Sequence, residues 1–164
     1  MFYKIVRDNL SGGSKTATWF IKLEKGEEIL TSLTLFCEHF QSYTGGSGVI
    51  TGIGAVSYAE IGWFDPGKKQ YTKKSLQQDM EITSLVGNLS LKETKPFFHV
   101  HITLANSQFE ITGGHLFKAI ISATGEFVLR TFRSSDNMPD LTRKQDKETG
   151  LFLWDSMQKL DEIG

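Results

Sequence analysis

Cysteine, proline and long apolar runs are scarce in this sequence. Cys37 is the single cysteine among 164 residues, so an intrachain disulfide is excluded and a reducing compartment is favoured. No stretch approaches the roughly 18 uninterrupted apolar residues of a membrane-spanning helix. The N-terminus also lacks the apolar segment and cleavage site of a signal peptide. We therefore expect a cytoplasmic protein without a membrane partner.

An excess of charge of one sign is also missing. The 18 basic and 19 acidic side chains leave a formal net charge of -1, which argues against a large electrostatic surface for nucleic acid. Gly52-Ile53-Gly54 is not continued into a dinucleotide fingerprint or a P-loop. No Gly-x-Ser-x-Gly motif is present, and Cys37 lies within an apolar stripe. Nucleotide binding and nucleophilic catalysis are therefore unsupported.

The periodicity of apolar residues predicts one long helix and a series of strands. Ile29, Leu33, Phe36 and Cys37 recur at helical spacing, with acidic residues in the first turn and glycines after Tyr43. Strand patterns cover residues 2–7, 17–23, 55–64, 82–91, 97–104, 109–112, 116–123 and 126–132. Between these we expect a polar hairpin tip or loop over 68–74 and a hairpin turn at 124–125. Residues 151–154 form an apolar patch, and residues 155–163 are compatible with a short helix.

The histidines give the sharpest functional signal. Strand alternation places Phe98, Val100, Ile102 and Leu104 on one face and His99 with His101 on the other, about 7 Å apart. Two imidazoles at this spacing can chelate one transition metal ion. Two surface or interface histidines held by hydrogen bonds are the alternative.

His115 extends this pattern because it follows Gly113-Gly114, where the backbone can approach a neighbour closely. Three histidines with an open position form one kind of catalytic zinc site. Without metal, they could bind an anion or act as acid and base. Glu126 could orient an imidazole as a second-layer carboxylate, or it is a surface charge beside Arg130.

Five short motifs in order resemble the PPC domain, the "plants and prokaryotes conserved" domain. They are Gly26-Glu27-Glu28, Gly52 to Ser57, Ser84 to Ser90, His99-Val100-His101 and Gly113-Gly114-His115-Leu116. The resemblance covers about residues 21–132 as the core of a single domain 1–164, and residues 133–164 form the tail. It implies an α+β fold in which one long and one or two short helices flank a largely antiparallel sheet, assembled as a homotrimer.

The same resemblance implies that His99, His101 and His115 cluster and hold zinc or another divalent transition metal. Prokaryotic stand-alone members carry a DNA-binding label by association with plant proteins, yet this chain has no Arg-Gly-Arg core of an AT-hook. Direct DNA binding by this domain alone is therefore not expected. A cupin metal site is rejected, because the first glutamate after the pair is Glu110, nine positions beyond His101.

The expected function is thus a homotrimer with a three-histidine site of unassigned activity, regulatory or DNA-associated by family alone. The alternative is a small metal-dependent enzyme or small-ligand binder that uses the same site. A protein partner or a small ligand fits either hypothesis.

Overall fold

A single mixed sheet makes up most of this fold. The computed structural model describes residues 1–9, 15–40, 44–133, 140–155 and 157. Within these ranges there are nine strands and one helix of 11 residues. They are β1 (Phe2–Asn9), β2 (Lys15–Glu24), α1 (Ile29–His39), β3 (Gly48–Asp65), β4 (Gln70–Leu76), β5 (Met80–Lys92), β6 (Lys95–Ala105), β7 (Ile111–Arg133), β8 (Thr142–Gln145) and β9 (Phe152–Trp154).

The predicted α+β class, with a long helix and further short ones flanking the sheet, is therefore wrong. The protein is mostly β, because segments without a clear strand pattern are also recruited into the sheet. Residues 68–74 are predicted as a hairpin tip or loop, but the hairpin of β3 and β4 turns before Gln70 and most of these residues belong to β4. The tail adds β8 and β9, and the predicted helix over 155–163 falls almost entirely outside the described residues.

The predicted hairpin turn at Thr124-Gly125 is also wrong, because β7 runs through it as one strand. Gly125 pairs with Leu23 on one side and with Gly54 on the other, and the pairing of β3 with β7 resumes beyond a register shift at Val56 and Ile121. A Cβ at Gly125 would lie 2.7 Å from side-chain atoms of Ile121 and Phe127. The glycine is needed for close packing inside a strand, not for a turn.

Four strands close on one another around the main core. β3 pairs with both β5 and β7, and β6 also pairs with both β5 and β7, all antiparallel. The exception in orientation is β8, which pairs in parallel with β5 at Leu91 and Lys92. This closure brings the middle of β6 beside the start of β7, where the histidines lie.

α1 covers one side of the sheet with the predicted apolar stripe, and its buried residues include Ile29, Leu33, Phe36 and Cys37. Glu28 caps the helix, accepting hydrogen bonds from the backbone N–H groups of Leu30 and Thr31. The same carboxylate accepts from the N–H of Ala119 in β7 at 3.1 Å, which ties the helix to the sheet. Across the described residues we find no helix with the length and hydropathy needed to cross a membrane.

Candidate metal centre

The two histidines of β6 point away from the core, as predicted from strand alternation. Phe98, Val100, Ile102 and Leu104 are all buried, with at most 6 % of each residue exposed. His99 and His101 occupy the opposite face of the strand, and His101 lies directly across from His115 of β7.

The three imidazoles form one compact group. Their ring centroids are 5.1 to 5.5 Å apart, and one nitrogen of each ring lies within 4.8 Å of the other two. Ligand nitrogens at ~2.0–2.1 Å from a tetrahedral zinc ion are about 3.3 Å apart. Small side-chain rotations would therefore bring the rings to ligand distance. The group can hold a metal ion.

Glycines allow this convergence because β6, β7 and β3 approach more closely than a Cβ permits. A Cβ at Gly113 would lie 2.5 Å from the carbonyl oxygen of Ile102, and one at Gly114 would lie 2.7 Å from that of Gly62. Real Cβ atoms do not come this close to backbone, so the Gly-Gly pair fixes the strand spacing. His115 is the next residue in β7, so the same packing determines where it lies.

His115 is also held between aromatic rings. Tyr71 of β4 and Phe117 of β7 each place a ring centroid 4.9 Å from the imidazole centroid. The Nδ1 atom of His115 is buried and has no hydrogen-bond partner among the described residues. A buried polar nitrogen without a partner is costly. A metal ion bound at this nitrogen would serve as its partner. The donor set fits zinc, cobalt, nickel or copper.

Burial and positive neighbours keep His99 and His115 neutral. Burial lowers the pKa of His115 to about 4, helped by His99, His101, Arg143 and Lys73. The pKa of His99 is lowered by burial first, and then by Arg143 and His101. Neutral imidazole is the form that ligates metal, so His99 and His115 are ready to bind at pH 7.

Glu126 does not join this group. It lies exposed near the other end of β7, paired with Lys22 and Ile53, and it lines a separate groove. This position agrees with the alternative of a surface charge, and Glu126 does not support an imidazole of the group.

Arg143 and Tyr71 are the neighbours that sequence analysis does not single out as site residues. Both line a cleft of about 310 Å³ together with His99 and His115. Tyr71 falls in the predicted polar loop and Arg143 in a loop-like tail, so neither has a predicted strand position that points to the histidines. The Cys37 thiol, by contrast, is buried as predicted, and burial raises its pKa to about 12.

Comparison with known proteins identifies the relatives of this fold. The model of the Plants and Prokaryotes Conserved domain, abbreviated PCC or PPC, matches residues 10–133. The chain belongs to this family. Among curated proteins no match was found.

Solved structures of PPC relatives superpose over most of the chain. A metal-containing protein from Archaeoglobus fulgidus is 38% identical, with a TM-score of 0.74 over 84% of this chain and 91% of that one. A PPC protein from Pyrococcus horikoshii is 30% identical, with a TM-score of 0.78 over 96% and 97%. A candidate DNA-binding protein from Bacteroides thetaiotaomicron is 28% identical, with a TM-score of 0.72 over 92% and 96%.

Proposed function

We propose that this PPC protein binds one divalent transition metal ion through His99, His101 and His115, and that this metal is zinc. The bound metal ion would hold a small ligand. One observation carries the proposal: three imidazoles each have a nitrogen within 4.8 Å of a nitrogen of the other two. The metal-containing relative, which shares the fold at 38% identity, supports it.

The three side chains have distinct roles in such a site. His99 and His115 come from the partly buried side and line the cleft, whereas His101 is exposed at the outer edge. Zinc with three imidazole ligands supplies Lewis-acid chemistry at its open position. The cleft beside His99 and His115 gives a small ligand a route to that position, which supports ligand binding and the alternative of a small metal-dependent enzyme.

The test is metal analysis of protein purified without a polyhistidine tag and equilibrated with zinc. We expect about one zinc ion per chain in the wild type, and at least a tenfold weaker zinc affinity in His101→Ala. His39→Ala is the matched control, since His39 lies at the exposed end of α1. Equal zinc affinity in the wild type and His101→Ala would contradict the proposal.

We also propose that the chain assembles as a homotrimer, as the family resemblance implies. A row of exposed side chains, three of them apolar, runs across the outer face of the sheet through directly paired residues, from Phe20 to Val128, Thr51 and Val86. The same row ends at His101, which pairs with Val86. Neighbouring exposed apolar side chains are typical of a protein interface, and a groove of about 790 Å³ follows this surface.

Sedimentation of a matched pair of variants tests the trimer. Val86 is 56% exposed in the sheet, and Leu35 is 58% exposed on α1. A charge at Val86 would be buried in the interface, so Val86→Asp should convert the trimer to chains of 18.4 kDa, while Leu35→Asp should not. A wild type that sediments as a monomer at all concentrations would contradict the assembly.

A further inference from the structure

Arg143 of β8 is a buried cation held entirely by neutral groups. Only 8% of the residue is exposed. Its Nε donates to Ser90 Oγ, its Nη2 to Asn88 Oδ1 and its Nη1 to the Phe152 carbonyl oxygen, each at 2.7 Å. No carboxylate in the described part of the chain lies within ion-pair distance of it. A buried guanidinium without a counter-charge is costly, which points to an anion that is not part of the chain.

The guanidinium still has donors to offer. Each terminal nitrogen carries two N–H groups, and the observed bonds use one on each. Phe97 and Trp154 lie beside the guanidinium, with ring centroids 5.3 and 5.6 Å from Cζ. The group is therefore fixed in orientation, as recognition of a planar carboxylate requires.

The surrounding cleft selects for negative charge. Arg143 lines it together with His99, His115, Lys69 and Lys92, and no aspartate or glutamate occurs among its described lining residues. Tyr71 also lines the cleft and carries a phenol hydroxyl that can donate a hydrogen bond. The cleft volume of about 310 Å³ is at the low end for ligand pockets. A small acid fits this space better than a nucleotide or a peptide.

We propose that Arg143 binds the carboxylate of a small organic acid whose other end faces the three imidazoles. This deepens the proposed function by naming its ligand class, and it rests on the proposed metal site for the ligand's second contact. The contact with Arg143 does not depend on metal, because it uses charge and hydrogen bonds already present in the chain.

Calorimetric titration with pyruvate and with its neutral amide, pyruvamide, tests the proposal on zinc-loaded protein. We expect pyruvate to bind the wild type at least tenfold more tightly than pyruvamide. Arg143→Gln should weaken pyruvate binding at least tenfold and leave pyruvamide binding unchanged. Arg130→Gln, which removes an exposed arginine from β7, is the matched control and should bind pyruvate like the wild type.

Several results would overturn the proposal. They are equal binding of pyruvate and pyruvamide, equal binding of pyruvate by the wild type and Arg143→Gln, and no pyruvate binding up to about 10 mM. Inorganic phosphate is the third probe. Phosphate binding that depends on Arg143 and is tighter than pyruvate binding would show an inorganic oxyanion site and reject the organic acid.

A second variant separates anion binding from a structural role of Arg143. Ser90→Ala removes one of the bonds that tie β8 to β5 but keeps the guanidinium. If Arg143→Gln acted only by loosening the tail, Ser90→Ala should also weaken pyruvate binding. We expect it to bind within about threefold of the wild type.

Zinc content, measured on the same samples, distinguishes the two proposals. Loss of pyruvate selectivity with zinc retained rejects the role of Arg143 alone. Failure of the wild type to bind zinc rejects the proposed metal site, and titration of the metal-free protein with pyruvate then still tests Arg143.

Discussion

The low pKa of His115 predicts that the metal-free protein loses stability when the pH falls from 6.5 to about 4. The imidazole binds a proton with a pKa of 6.5 in the unfolded chain and of about 4 in the folded protein. Between these values the unfolded chain holds more protons, so lowering the pH favours unfolding. Below about 4 both states are protonated, and the contribution of His115 no longer changes. The pKa of His99 is lowered as well and acts in the same direction.

The size of the effect follows from the difference between the two pKa values. A fall from 6.5 to about 4 sets a ceiling of about 3.4 kcal/mol, since a tenfold change in proton affinity is worth about 1.36 kcal/mol. Because the ring is only partly buried, solvent screening reduces this, and we expect about 1–2 kcal/mol. For a chain of this length that corresponds to a fall in Tm of about 2–8 °C.

Thermal unfolding of chelator-treated protein at about pH 7 and about pH 4.5 measures this contribution. His115→Asn keeps a polar side chain but removes the titration, so its Tm should fall less with pH than that of the wild type. His39→Asn, at the exposed end of α1, should follow the wild type. An identical pH dependence of Tm in the wild type and His115→Asn would refute the argument that burial of this imidazole disfavours its protonation.

Three further predictions concern the packing of the strands, the cap of α1 and the binding of DNA. Gly114→Ala places a Cβ 2.7 Å from the Gly62 carbonyl oxygen, and should cost about 1–3 kcal/mol in urea unfolding; a cost near zero would refute the packing role. Glu28→Ala removes the helix cap and the bond from Ala119, and should cost about 2 kcal/mol in the same assay. In a gel-shift titration at near-physiological salt, the chain should show no tight, salt-sensitive binding of duplex DNA, because its net charge is -1. Sub-micromolar binding would contradict this expectation.

Local periodicity is enough to predict the parts of the site that lie on one strand. The alternation from Phe98 to Leu104 determines which side chains are buried, and so it places His99 and His101 on the opposite face. The apolar stripe of α1 is equally clear, because apolar residues at helical spacing over three turns form one continuous face. The meeting of His115 with His101 depends on the register of β6 and β7, which the family resemblance supplies and local pattern does not.

The wrong fold class has a different physical origin. Residues 70–74 are polar and rich in lysine, yet they form a strand because β3 offers an open edge and pairs with them through Gln70 to Leu76. Lys73 of this strand gains an ion pair with Glu60 at 2.8 Å. The backbone hydrogen bonds between strands and such cross-strand pairs form only when the fold brings the two segments together. The strand propensities of the individual residues therefore do not predict them.

Arg143 shows why the positively charged part of the cleft could not be predicted from the sequence. A lone arginine in a polar tail has an exposed side chain as its default. Its burial results from the pairing of β8 with β5 at Leu91 and Lys92, which carries the guanidinium to Ser90 and Asn88. Asn88 in turn is the direct cross-strand neighbour of His99. The tail therefore places a fixed positive charge beside the imidazoles, and the charge arrangement of the cleft exists only once strands far apart in sequence are paired.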